Sequence, residues 1–272
     1  MGILPKLVII FLTSIVITGC ASDITKKVKA AEDIAIANNF EQKMVQSGDF
    51  VLTTYQRITD KNLPYVFYLE GDGQAFIGRY TVSDNPTPAR PMLLKLAAID
   101  ERPNVVYIAR PCQYTPLEQS PKCIQNYWTN KRMSEEVIAS MNGAINDISN
   151  GQNISLVGFS GGGGVAVLIA ARNKHVKDII TIAGNLDHVA FNKYHNAMPM
   201  TGSLNPIDYA KQISHVPQLH LSGEKDKRVP SFIATGYVAK SASKHVMHRT
   251  IENAEHMKGW EAVWPKVLKG EE

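Results

Sequence analysis

The chain of 272 residues carries only three cysteines, and no cluster of Cys, His and Asp has metal-ligand spacing. Metal-centred chemistry therefore has no footing in the pattern. Basic runs are also scarce. The net charge is +4, and Lys26-Lys27-Lys29 is the densest positive cluster, so no nucleic-acid footprint appears. Internal repeats and low-complexity tracts are absent, which argues against a solenoid. The strongest apolar run, Leu7 to Ile17, falls short of the ~20 residues a spanning helix needs. Beyond position 20 some ~250 residues remain, enough for one sizeable α/β domain.

The most informative stretch runs from Asn153 to Lys174. Ile154-Ser155-Leu156-Val157 is a short apolar run suited to a buried strand, and Val165 to Ala171 is suited to a buried helix. Between them Gly158-Phe159-Ser160-Gly161-Gly162 reads Gly-x-Ser-x-Gly. In a nucleophile elbow the serine sits on a strained strand-to-helix turn, and glycines let strand and helix approach. The helix N-terminus then offers N–H groups and a positive dipole end to an oxyanion. Two rivals are weaker. Gly161 to Ala166 also fits a dinucleotide fingerprint, but the acid offered with the next strand, Asp187, lies far for a ribose contact. A phosphate-binding loop requires Gly-Lys-Ser/Thr where Val165 stands.

Around the elbow, strand and helix patterns alternate. Phe50–Ile58, Pro64–Leu69, Val105–Ala109, His175–Ala183, Gln218–Gly223 and His248–Glu252 read as strands. Met92–Ala98, Glu135–Ile148, Phe232–Ala242 and Met257–Leu268 read as helices. Ser22 to Ser47 reads as a tether followed by an amphipathic helix carrying Val28, Ile34, Ile36, Met44 and Val45. This gives a tether and N-terminal helix over 21–47 and a main domain over 48–272. The alternation predicts a mostly parallel sheet with helices on both faces. Residues 186–209 are too long for a plain connection and predict a small insertion over the site.

A serine hydroxyl needs a general base, and the base needs an orienting acid. In this architecture both follow the serine, acid before histidine, at the C-terminal ends of strands. Asp226 lies three residues past Gly223, and His256 follows the last strand. Asp187, at the end of the preceding strand, is the rival acid. His220, inside a strand, reads as a core residue. Glu70-Gly71-Asp72-Gly73 ends the second strand, where its backbone could aim an N–H at the elbow.

Together these features resemble an α/β-hydrolase-fold serine hydrolase over about residues 45–270. The loop Gly223-Glu224-Lys225-Asp226-Lys227-Arg228-Val229-Pro230 is similar to the acid loop of esterases, dienelactone hydrolases and prolyl-oligopeptidase-like members. Tyr68 to Gly73, Ala109 to Tyr114 and Ser203 to Pro206 resemble a poorly characterised group of bacterial lipoprotein hydrolases. Glu70 departs from the His that many relatives carry before Gly-x-Gly. The resemblance implies a carboxylesterase acting on a small acyl substrate without metal or organic cofactor. Ser160 would be the nucleophile, His256 the base and Asp226 its acid. Gly161 and Asp72 would supply oxyanion N–H groups. A peptidase or amidase shares the same triad, and a non-catalytic envelope binding protein is the reading from another class.

Residues 1–20 read as a targeting segment. Lys6 supplies its positive end, and Ile17-Thr18-Gly19-Cys20 resembles a lipobox. The resemblance implies cleavage before a lipidated Cys20 and a membrane anchor in the bacterial envelope. Ala21 after it favours the outer membrane. Cys112 and Cys123 would then remain in an oxidising compartment and form a disulfide.

Overall fold

The computed structural model describes residues 19–78 and 80–271. The targeting segment up to position 18 lies outside them, as does the side chain of Cys20. Eight strands form one sheet in the order β1 (Glu41–Ser47), β2 (Phe50–Ile58), β6 (Asn104–Ile108), β3 (Tyr65–Leu69), β7 (Ile154–Phe159), β8 (Val176–Ile182), β9 (Gln218–Gly223) and β10 (Val246–Ile251). β1 and β2 pair antiparallel, as do β2 and β6, and every pairing from β6 to β10 is parallel. A small hairpin, β4 (Phe76–Ile77) with β5 (Thr81–Val82), stands apart from the main sheet.

Helices α1 (Gly19–Ala37), α2 (Met92–Ile99) and α7 (Trp260–Lys269) cover one face, and α3 (Glu135–Ser149), α4 (Gly161–Ala170) and α6 (Phe232–Ser241) cover the other. The short helix α5 (His188–Tyr194) lies in the connection after β8. β3 shows how one strand serves both cores. Its Tyr65, Phe67 and Leu69 join the core under α3 and α4, while Val66 and Tyr68 join that under α2 and α7. α3 forms because Val137, Ile138, Met141, Ala144 and Ile145 recur at helical spacing and are all buried. It stops at Asn150, whose left-handed φ of 48° lets its N–H reach Asn146 O. Trp260 and Trp264 on α7 are fully buried, and truncating either to Ala should cost about 3–5 kcal/mol.

Two expectations need correction. Residues 41–47 form strand β1 on the sheet edge rather than helix, so Met44 and Val45 belong to the sheet. The alternation of Glu41, Lys43 and Gln42, Met44 gave no clear period, and pairing with β2 decided it. Nor is the segment after Ser22 a free tether. It is helical, and Ala31, Ala35 and Phe40 are buried against the α2 face. Lys27, itself buried, donates through Nζ to Gln74 Oε1 at 2.8 Å. Among the described residues no helix is long and apolar enough to cross a membrane.

Candidate active site

Ser160 joins β7 to α4 with φ 51° and ψ −119°, a conformation that costs a non-glycine residue of order 1–3 kcal/mol. The surroundings hold it there. Its N–H donates to Ile182 O at 2.9 Å, and its carbonyl accepts from Gly163 N at 3.0 Å and Asn185 N at 2.8 Å. A Cβ on Gly158 would overlap the Gly162 carbonyl, and one on Gly161 would overlap the Asp72 carboxylate. The glycines of the motif are thus required by close approach. Gly161 N–H, in the first turn of α4, has no intrahelical acceptor and is free for an anion.

Asp226 and His256 come together from the loops after β9 and β10. His256 Nδ1 lies 2.8 Å from Asp226 Oδ2, and Asp226 Oδ1 accepts from Arg228 N at 2.7 Å and Val229 N at 3.0 Å. Burial works against ionisation of Asp226. The hydrogen bond and charge of His256 and the two backbone N–H groups outweigh it and hold the carboxyl below its ordinary range. His256 packs its ring 5.0 Å from that of Phe159, the residue before Ser160. Its backbone is pinned from below, since Trp260 Nε1 donates to Glu255 O and His256 O. A Cβ on Gly223 would press on the Ala254 carbonyl, so the two loops sit in direct contact.

Asp187 is placed elsewhere. It caps α5, accepting from Val189 N and Ala190 N at 3.1 Å and from Asn205 Nδ2 at 2.9 Å. That carboxylate is occupied as a helix cap and does not meet His256. His220 is fully buried, with Nδ1 2.8 Å from Thr181 Oγ1, and burial pushes its pKa down to about 3.

The loop after β3 packs against the elbow, for a Cβ on Gly71 would come within 3.2 Å of Ser160 Cβ. Gln113 Nε2 donates to Gly71 O at 2.9 Å, and Gln113 Oε1 accepts from Arg110 N at 3.1 Å. The segment carrying Gln113 is tied down by the Cys112–Cys123 disulfide. Glu70 is buried and accepts from Gly71 N and Tyr107 Oη, both at 2.7 Å. Burial dominates these bonds and raises its pKa to about 7.

Several features here escaped sequence reasoning. The Asp72 carboxylate, as distinct from its N–H, pairs with Arg110 Nη1 at 3.4 Å and Arg132 Nε at 3.2 Å. Arg110 Nη2 also donates to the Arg132 carbonyl. Arg132 follows Tyr127 and Trp128, two buried aromatics, and precedes the buried Met133. No local signal marked it, since the polar Thr129, Asn130 and Lys131 separate Arg132 from those aromatics.

The strand order, elbow and paired loops define the α/β-hydrolase fold. No protein-family model matches the chain, and no curated protein matches it. Solved structures do. Acylaminoacyl peptidase from Pyrococcus horikoshii superposes with a TM-score of 0.61 at 13% identity over 85% of this chain. This chain spans only 41% of that peptidase. Est1E from Butyrivibrio proteoclasticus gives 0.58 at 12% identity, covering 84% of this chain and 96% of that one. The Pyrococcus furiosus esterase Pf2001 gives 0.59 at 14% identity, covering 86% and 89%.

Proposed function

We propose that the protein is a serine hydrolase that cleaves carboxylic esters through an acyl-enzyme intermediate. The observation that carries this reading is the hydrogen-bonded Asp226–His256 pair set against Phe159, beside the strained Ser160. His256, with Nδ1 engaged by Asp226, takes the Ser160 proton on Nε2 as Oγ attacks the acyl carbon. The oxyanion is met by backbone N–H groups of Gly161 and Asp72, at the positive end of α4. His256 then protonates the leaving alcohol, and the same groups run the deacylation with water. Asp226 keeps the imidazole in the reactive tautomer and stabilises the imidazolium.

The esterase and peptidase neighbours share this fold, and their activities support hydrolysis as a class. We choose esters over amides because the Pyrococcus furiosus neighbour, matched over most of both chains, is a named esterase, whereas this chain spans only 41% of the peptidase. The test is Ser160→Ala on p-nitrophenyl acetate. Turnover should fall by several orders of magnitude with circular dichroism unchanged; near-normal turnover would remove the reading.

We further propose that the enzyme is tethered to the bacterial envelope, and to the outer membrane in particular, by lipid on Cys20, which the lipobox-like ending supports. Cys20→Ser should move the protein from the membrane to the soluble fraction. Retention on carbonate-washed membranes would contradict the anchor.

A further inference from the structure

One wall of the site is buried, polar and incompletely bonded. Arg132 is 9% exposed, yet among the described residues its guanidinium makes a single ion pair, Nε to Asp72 Oδ2, and donates no well-formed hydrogen bond. Near it, Arg110 Nε and Asn185 Oδ1 are buried without hydrogen-bond partners. Buried polar groups are ordinarily hydrogen-bonded, and a guanidinium brings five donors with no acceptor of its own. So many unmet groups in one place need an explanation.

They also converge on the nucleophile. The Asp72 carboxylate held by both arginines lies against Gly161. Asn185 donates its N–H to Ser160 O, and the charge of Arg132 acts on His188, whose pKa is lowered chiefly by burial. The loop bearing Arg132 is fixed to the segment after α5, because Met133 N donates to Ser203 Oγ and Leu204 N to Met133 O. The acids facing the two arginines are Asp72 and Glu70. Glu70 is already committed to Tyr107 and Gly71, and with a pKa of about 7 it is only partly ionised at neutral pH. Cationic charge is therefore in excess, and the two guanidiniums keep N–H donors in reserve. That combination matches a planar carboxylate, which a guanidinium can grip with two parallel N–H bonds.

We propose that Arg132 binds a carboxylate carried on the acyl part of the substrate, so that the enzyme prefers anionic hemi-esters of dicarboxylic acids to neutral esters of the same length. This rests on the hydrolase reading above. Arg110 holds the Asp72 side of the wall and is a positioning residue.

The experiment compares kcat/KM for p-nitrophenyl hemisuccinate, hemiglutarate and hemiadipate with that for the butyrate, valerate and hexanoate, corrected for spontaneous hydrolysis. Wild type should favour at least one anionic ester over its neutral match by about tenfold to a hundredfold, the worth of a charge-assisted contact. Arg132→Met should bring that ratio to one or below, and Arg132→Lys should keep part of it. Should Arg132→Met fail to fold, the wild-type ratios and Arg132→Lys still decide. Turnover of the neutral esters at equal or better kcat/KM throughout overturns the anion preference and leaves the hydrolase reading standing. No turnover of any ester, together with no labelling of Ser160 by a fluorophosphonate, overturns both.

Discussion

The two flanks of Ser160 are built differently. On the flank formed by the loops after β9 and β10, the polar groups of the Asp226–His256 pair are engaged. Asp226 has two backbone donors and His256 Nδ1, and Trp260 braces the His256 backbone. On the opposite flank, Arg110, Arg132 and Asn185 carry buried polar atoms without a hydrogen bond. A side chain that must act on every turnover gains from being fixed beforehand, since preorganised groups need no rearrangement in the transition state. A side chain that selects substrate must keep bonding capacity in reserve. On the proposed function, the contrast separates chemistry from recognition within one site.

That contrast can be broken most severely at the acid. Asp226→Asn should lower kcat by about 10⁴-fold, because an amide stabilises the wrong imidazole tautomer. Asp187→Asn should change kcat less than about tenfold, since an Asn is also a good helix cap. Steady-state kinetics on one ester, after circular dichroism shows both variants folded, checks the ranking. The reverse order would move the acid to the β8 loop. Next in size, Gly161→Ala forces a methyl into the space of the Asp72 carboxylate and displaces the oxyanion loop. Its kcat should fall by about 10²–10³-fold with little change in thermal midpoint.

Smaller effects sharpen the second flank. Replacing both Cys112 and Cys123 by Ala opens a loop of sequence separation 11 and should cost about 3 kcal/mol, read as a fall of about 6–12 °C in Tm. Glu70 has a folded pKa of about 7 against an ordinary 4.5, so the folded state binds the extra proton between those values. Its contribution to stability is therefore full below about pH 4.5 and is lost as pH rises through about 7. Glu70→Gln should flatten that part of the stability–pH curve, by at most roughly 3 kcal/mol. Denaturant midpoints measured from pH 4 to pH 8 test it, and a wild-type curve already flat there would contradict the burial argument.

Much of this site was legible in the chain because its constraints are local. Ser160 is announced by glycines that only a tight strand-to-helix crossing needs, and Asp226 and His256 by their place after strands. The Arg132 wall was not legible, because its character comes from burial among residues distant in sequence: Asp72, Arg132 and Asn185. Edge strand β1 was missed for a related reason. Its residues are mostly exposed and lack a period, and pairing with β2 made the choice. Asp187 stayed a rival in the sequence because an acid at a strand end has the same local sequence whether it serves a base or caps α5.

The most direct test of the account is covalent. The purified protein is treated with a fluorophosphonate and the adduct located by peptide mass spectrometry. We expect one adduct, on Ser160, formed far more slowly in His256→Ala while the fold is retained. An adduct on another serine, or none on the folded protein, would contradict the assignment of Ser160 as an activated nucleophile.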